Sequence, residues 1–238
     1  MSKYSISKSS YLKFEQCKKA FFLNKHFPQL KDKFSIDKNL TFKRGHLIGS
    51  LSKELFPNGI DVSEESKNLE EAALLTTNLI AEKKTIYEAT FVYNGVLIMV
   101  DILTWENGGW NAYEIKSSLK VTEVYLLDAC LQHYVLNNSI DHLKDFFLVT
   151  LNGDYIKNEE QIDLKKLFKK RSILKEALAN SEYFQARINA ANEVLECPDI
   201  PQINIGEHCF KPYTCDFYGY CWKNTIQNSN IFSISIIN

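Results

Sequence analysis

Residues 8–25 (KSSYLKFEQCKKAFFLNK) place apolar and basic positions at helical spacing, which predicts a helix carrying Cys17. Residues 42–56 (FKRGHLIGSLSKELF) read as a second helix. Gly45 and Gly49 lie four apart on one face of it, where another backbone would approach closely. Asn58-Gly59 is a turn, and Ser63 is expected to cap a third helix over 63–83 with Glu64 and Glu65 in its first turn.

The pattern then changes period. Residues 85–93 (TIYEATFVY) and 96–104 (VLIMVDILT) are rich in strand formers and are separated by Asn94-Gly95, a strong hairpin signal. A turn at 106–109 leads into a third strand over 110–116 (WNAYEIK), giving an antiparallel meander. Residues 121–137 read as a helix, 145–151 as a buried strand, and 161–196 as helical with an interruption near Arg171. From 198 to 222 the chain turns to Pro, Cys, Tyr and Gly, an irregular segment that needs something other than a core to hold it, and 231–237 reads as a short edge strand. The fold expected is α/β (α+β): a mixed sheet with an antiparallel meander, flanked by helices. It forms one domain, with a helical part over 1–84, a sheet over 85–151, helices over 152–197, a Cys-rich segment over 198–223 and a tail over 224–238.

The meander carries the first candidate chemistry. With Asn94-Gly95 as a two-residue loop, Tyr93 pairs with Val96 and Glu88 faces Asp101. With 106–109 as a four-residue loop, Trp105 pairs with Trp110 and Asp101 faces Glu114. Three carboxylates in one row repel one another, and Lys116 points to the same face as Glu114. Converging acidic oxygens beside a lysine suit a hard divalent cation such as Mg²⁺ or Mn²⁺. The alternative is a set of solvated positions on the wet face of a sheet.

Composition narrows the field. The chain has 238 residues, 45% hydrophobic and 24% charged, which is globular usage. With 28 basic and 29 acidic residues the net charge is −1, so nucleic acid would have to be held by a local basic footprint. Lys165, Lys166, Lys169, Lys170 and Arg171, with Lys18 and Lys19, are candidates for that footprint, and Trp105, Trp110 and Tyr113 for base stacking. For each lysine a solvated helix face, and for each aromatic a place in the core, is the simpler reading. No apolar run reaches the roughly 18 residues of a membrane span, and the first residues lack the order of a secretory signal, so a cytoplasmic protein is expected. Six cysteines in a reducing compartment seldom pair. Of the six, Cys209, Cys215 and Cys221 are evenly spaced, with five residues between each and the next. Cys130 reads as a small buried hydrophobe and Cys197 as a bystander.

Asp101, then Glu114-Ile115-Lys116, matches the D…ExK signature of PD-(D/E)XK nucleases, and Gln132-His133-Tyr134 follows where RecB-like nucleases carry a Gln…Tyr motif. With Cys17 near one end and Cys209, Cys215 and Cys221 near the other, the chain resembles the iron–sulfur RecB-like nucleases. These include CRISPR-associated exonucleases and the nuclease domain of AddB-type helicase–nucleases. The stretches YSISKSSYLKFEQC, RGHLIGSLSKELFPNG, IYEATFVYNG and GEHCFKPYTCDFYGYCW most resemble a poorly characterised bacterial family of that group, and the likeness spans roughly residues 4–222. The resemblance implies a restriction-endonuclease-like core and a metal-dependent DNA nuclease of repair, recombination or defence, acting on single-stranded DNA or duplex ends, with protein partners of such a complex. It implies Mg²⁺ or Mn²⁺ on Asp101, Glu114 and the Ile115 carbonyl, with Glu88 and His46 as further candidate ligands. It also implies Lys116, Gln132 and Tyr134 at the reacting phosphate, and a structural [4Fe–4S] cluster on the four cysteines; four thiolates can also hold Zn²⁺, but the absence of a close Cys pair favours the cluster. Relatives often carry GxxxH on the second helix; from Gly49 that register falls on Lys53, with His46 nearby. The rival reading is a catalytically silent iron–sulfur module that binds DNA or docks a partner.

Overall fold

The computed structural model describes residues 5–32, 36–157 and 161–228. The chain divides into two compact units, Met1–Lys8 with Ile36–Ile188, and Ser9–Ser35 with Asn189–Asn238.

The first unit is built on a mixed seven-stranded sheet flanked by helices. In chain order its elements are β1 (Ile6–Ser7), α3 (Ile36–Lys53), β2 (Ile60–Asp61), α4 (Val62–Glu65), α5 (Leu69–Ala81), β3 (Ile86–Tyr93), β4 (Val96–Glu106), β5 (Gly109–Lys116), α6 (Glu123–Asn137), β6 (Leu143–Leu151), α7 (Leu164–Leu167), β7 (Phe168–Ser172) and α8 (Leu174–Ala179), after which α9 (Ser181–Glu196) begins. The strand order is β2-β3-β4-β5-β6-β7, with β1 pairing the start of β4. β3, β4 and β5 are antiparallel, β6 runs parallel to β5, and β7 returns antiparallel on β6.

Two Asn-Gly turns set the register of the meander. Asn94 and Gly95 (φ 48° and 73°) join β3 to β4, and Asn107 and Gly108 (φ 52° and 83°) join β4 to β5. Positive φ at both central positions gives a turn whose twist matches that of the strands it joins. Tyr93 pairs with Val96 and Trp105 with Trp110, as the sequence predicts. The second loop has two residues instead of four, because Glu106 pairs with Gly109 and the ladder runs one pair further.

One face of the sheet carries Tyr87, Ile102, Tyr113, Val149 and Phe168, packed against Ile48 and Leu51 of α3 and Leu55 just beyond it. Tyr113 lies 4.5 Å from Phe56 and stacks on Phe147 at 5.2 Å, so it is core and not a base-stacking platform. Trp110 is buried with Trp105 on its edge at 5.2 Å. The opposite face is covered by α6, whose residues 128–136 are all buried. Its start is fixed by Thr122, whose Oγ1 accepts from the Tyr125 amide.

Several helices differ from the sequence expectation. A Cβ added at Gly45 or Gly49 would meet nothing within 4 Å, so no backbone approaches there. The helix expected over 63–83 breaks into α4 and α5, with Asp61 and Asn68 as the capping residues rather than Ser63. Residues 168–172 (FKKRS) form strand β7 instead of helix: at the sheet edge a strand needs only one apolar anchor, here Phe168, and tolerates exposed lysines. The strand expected over 231–237 lies outside the described residues.

The second unit joins α1 (Lys8–Gln16, beyond Lys8) and α2 (Lys18–His26) to the second half of α9 and to α10 (Tyr218–Asn228). The helix expected over 8–25 is interrupted at Cys17, which is extended (φ −164°, ψ 115°) and starts α2. Ala20, Leu23 and Phe217 form a small core. Polar ties fix the irregular segment: Gln16 Nε2 donates to the carbonyls of His208 (2.8 Å) and Tyr213 (2.7 Å), Gly219 N donates to Asp32 Oδ2 (2.9 Å), and Lys13 pairs with Asp216.

Candidate functional site

The acidic row interrupts the meander's ladder. On β3 and β4 the pairs Tyr87↔Ile102 and Ala89↔Val100 are formed, but Glu88 and Asp101 between them are not bridged. Glu88 has φ 55°, a left-handed conformation costly for a residue with a Cβ and one that clusters at functional sites. The β4–β5 ladder ends at Ile102↔Tyr113, one pair short of Asp101 and Glu114. There the Asp101 carboxylate takes the place of a strand carbonyl: the Ile115 N–H donates to its Oδ2 at 2.6 Å.

Glu114 is the centre of the site and its side chain is 2% exposed. Oε1 accepts from Lys116 Nζ (2.6 Å) and Lys8 Nζ (2.8 Å), and Oε2 from Gln132 Nε2 (2.7 Å). Asp128, one helical turn before Gln132 on α6, accepts from Lys116 at 2.5 Å and lies 3.6 Å from Lys8. Lys8 follows directly on β1, which Ile6↔Val96 and the Ser5 and Ile6 amides on the Gly95 carbonyl fix to the sheet. The buried Gln132 amide oxygen has no hydrogen-bond partner among the described residues.

Charge governs this cluster. Burial and the neighbouring Glu114 push the Asp101 carboxyl up to about 8. Burial works the same way on Glu114, but Lys116 and Lys8 override it and hold that carboxyl well below its ordinary range. Burial alone would lower both lysines; the carboxylates of Glu114 and Asp128 instead hold them above their usual value. Glu88 is raised by burial, which Lys53 opposes and Asp61 and Glu114 reinforce. Asp101, Glu114 and Asp128 thus face the two ammonium groups of Lys8 and Lys116, while Glu88 also feels Lys53 and Asp61.

Of the residues expected here, Asp101, Glu114, Lys116 and Gln132 come together, and Glu88 lies within electrostatic reach of Asp101 and Glu114 as well as of Lys53. Tyr134 does not. Two residues past Gln132 a helix has turned by more than half a revolution, and the Tyr134 hydroxyl donates to Gln185 at 2.6 Å while its ring packs on Tyr93 and Phe184. His46 is exposed on α3, the helix that packs on the opposite face. Lys53, on that same helix, pairs with Asp61. Two members of the site were missed. Asp128 left a trace, an acid one turn from Gln132 in an apolar run, whereas Lys8 is 106 positions from Glu114 and left none.

The basic footprint is dispersed. Lys169 and Arg171 share the face of Lys116 through the register Lys116↔Thr150↔Lys169 and Leu148↔Arg171. Lys169 pairs with Asp154 at 2.8 Å and Arg171 with Glu176, while Lys170 lies over Phe147 on the other face.

In the second unit Cys17, Cys209, Cys215 and Cys221 line one pocket with Ala20, Ile203, Ile205 and Phe217. The extended break at Cys17 turns that residue out of the helical pattern. The Phe217 amide donates to Cys215 Sγ at 3.5 Å. Burial, together with Cys17, Cys221 and Cys209, pushes the Cys215 thiol up to about 11. Cys130 is buried and Cys197 exposed.

Both donor sets fit the groups the sequence suggests. An excess of carboxylate and an orphaned buried acceptor suit a hydrated divalent cation, and four thiols lining one pocket, with Lys19, Asn204 and His208 also on its wall, suit a cluster or zinc. Among the described residues no three His, Cys, Asp or Glu side chains are already drawn together as an ion cage, and no helix is long and apolar enough to cross a membrane.

No family model and no curated protein matches the chain. Among solved structures, SSO0001 is similar with a TM-score of 0.37 and 11% identity, over 85% of this chain and 90% of that one.

Proposed function

We propose that this chain is a divalent-metal-dependent deoxyribonuclease with a PD-(D/E)XK-type site, acting on single-stranded DNA or duplex ends. The observation that carries the reading is the joining of Asp101, Glu114 and Lys116 at the frayed end of one β-ladder, with Gln132 fastened to Glu114.

Asp101, Glu114 and the Ile115 carbonyl would hold Mg²⁺ or Mn²⁺, with Glu88 as a further ligand. The bound ion supplies polarisation of a phosphoryl oxygen and a more acidic water. Lys116, fixed between Glu114 and Asp128, donates to the attacking water or to the charge that develops on the phosphate. Gln132 keeps Glu114 turned toward β4. Lys169 and Arg171, on the same face, are the nearest candidates to steer the DNA backbone. Cys17, Cys209, Cys215 and Cys221 would hold a structural [4Fe–4S] cluster whose binding energy orders the second unit.

The test is cleavage of end-labelled single-stranded and duplex DNA by protein purified without oxygen. Mn²⁺-dependent shortening, stopped by a chelator, supports the reading. Binding to DNA without cleavage in any divalent ion would replace it with the silent-module reading.

A further inference from the structure

Lys8 has no counterpart in the D…ExK pattern, yet its ammonium stands at the centre of the site. It donates to the same Glu114 oxygen as Lys116, at 2.8 Å against 2.6 Å. It also reaches the same Asp128 oxygen as Lys116, at 3.6 Å against 2.5 Å. The four groups form a ring of alternating charge, Lys116, Glu114, Lys8 and Asp128, in which each carboxylate serves two ammonium groups. Glu114 and Asp128 are 2% and 3% exposed, whereas the Lys8 side chain is 26% exposed, so of the four Lys8 has the freest path to solvent. Its anchor is short: β1 is two residues long and Lys8 opens the helix that follows.

A divalent ion that takes up Glu114 must share a carboxylate whose Oε1 already carries two ammonium groups and whose Oε2 carries the Gln132 amide. Like charges around one carboxylate repel, and the repulsion is strong where solvent is scarce. Lys116 is tied to Asp128 by the shorter contact and is the more buried, so Lys8 is the one to move. Asp128 remains within reach of it.

We propose that Lys8 is a positioning residue that competes with the divalent ion for Glu114, yields that carboxylate when the ion binds, and is retained by Asp128. This rests on the metal-site reading above. In the free protein Lys8 offsets surplus negative charge that would otherwise disrupt the fold, and it sets a threshold of ion concentration for loading the site.

The test is Mn²⁺ binding without DNA, followed calorimetrically and by the loss of the free-ion electron-resonance signal. The proteins compared are the full-length wild type, Lys8→Met and Lys8→Arg. Lys8→Met keeps the stem and removes the charge; it is expected to bind Mn²⁺ at least about tenfold more tightly, while Lys8→Arg stays within about threefold of the wild type. Native-like thermal transitions show that the variants are folded, and Lys8→Gln replaces Lys8→Met if that variant is not. Wild-type binding with an unchanged or weaker Lys8→Met affinity overturns the competition and leaves the metal site standing. No Mn²⁺ binding by any of the proteins overturns both.

Discussion

The Lys116 ammonium and the Asp128 carboxylate lie 2.5 Å apart, one from the end of β5 and the other from the second turn of α6. The helix that follows the central strands therefore does more than cover them: it aims the lysine. Asp128→Asn keeps the shape and removes the charge. We expect Mn²⁺-dependent cleavage to fall by about 10–100-fold, the usual effect of losing a partner that orients a ligand or reacting group, with far-ultraviolet dichroism unchanged. Wild-type cleavage by this variant would remove Asp128 from the site.

Glu114 is the buried anion between two lysines, so Glu114→Gln leaves two ammonium groups short of charge. Breaking a buried ionic cluster in this way costs about 3–5 kcal/mol, measurable as a fall in urea midpoint at constant slope. A loss under about 1 kcal/mol would mean that the lysines turn out to water at little cost.

Asp101 gives the stability a pH dependence with a definite sign. Its ordinary value is 3.8 and the folded value about 8, so between these the folded chain holds the proton more tightly than the unfolded one. Stability from this group is therefore lost as pH rises from about 4 to about 8. Glu114 acts oppositely: its lowered value stabilises above about 4.5 and that contribution is lost on further acidification. In Asp101→Asn the decline in melting temperature between about pH 5.5 and about pH 8.5 should shrink, and saturating Mg²⁺ should raise the wild-type melting temperature more at the higher pH. An unchanged slope in the variant would contradict the burial of a strained carboxyl.

The meander was legible because the Asn94-Gly95 turn and the pairing of Trp105 with Trp110, expected across a four-residue loop and made across Asn107-Gly108, carry Glu88, Asp101 and Glu114 toward one row. What the ladder rule did not reveal is that the strands part at that row, with Glu88 twisted to positive φ and Asp101 turned onto the Ile115 amide. Mutual repulsion of three acids is a physical reason for the parting. β7 was hidden because Phe168 is its single buried residue and an edge strand shows no alternation. The break at Cys17 was hidden because the residues on both sides keep helical spacing. Lys8 reaches Glu114 only through β1, a strand of two residues.

Tyr134 separates geometry from resemblance. Its hydroxyl is spent on Gln185, away from the carboxylates. Tyr134→Phe should cost about 1 kcal/mol in stability for one lost hydrogen bond and leave cleavage unchanged. A loss of cleavage beyond tenfold at full folding would return it to the site.

The [4Fe–4S] cluster proposed for the cysteine pocket has a visible signature. Protein purified without oxygen should be brown, with about four irons per chain and little zinc. Cys215→Ala should lose the colour and weaken amide-exchange protection in residues 9–32 and 189–228, with protection of β3–β5 retained. A colourless protein containing zinc would make the second unit a zinc-stapled scaffold.

The carboxylate–lysine site is tested most directly by setting Asp101→Ala and Lys116→Ala beside the wild type on end-labelled DNA with Mn²⁺, with iron content recorded for each. Cleavage by the wild type, none by either variant, and the same brown absorbance in all three are expected. Equal cleavage by wild type and variants would place the chemistry elsewhere in the molecule.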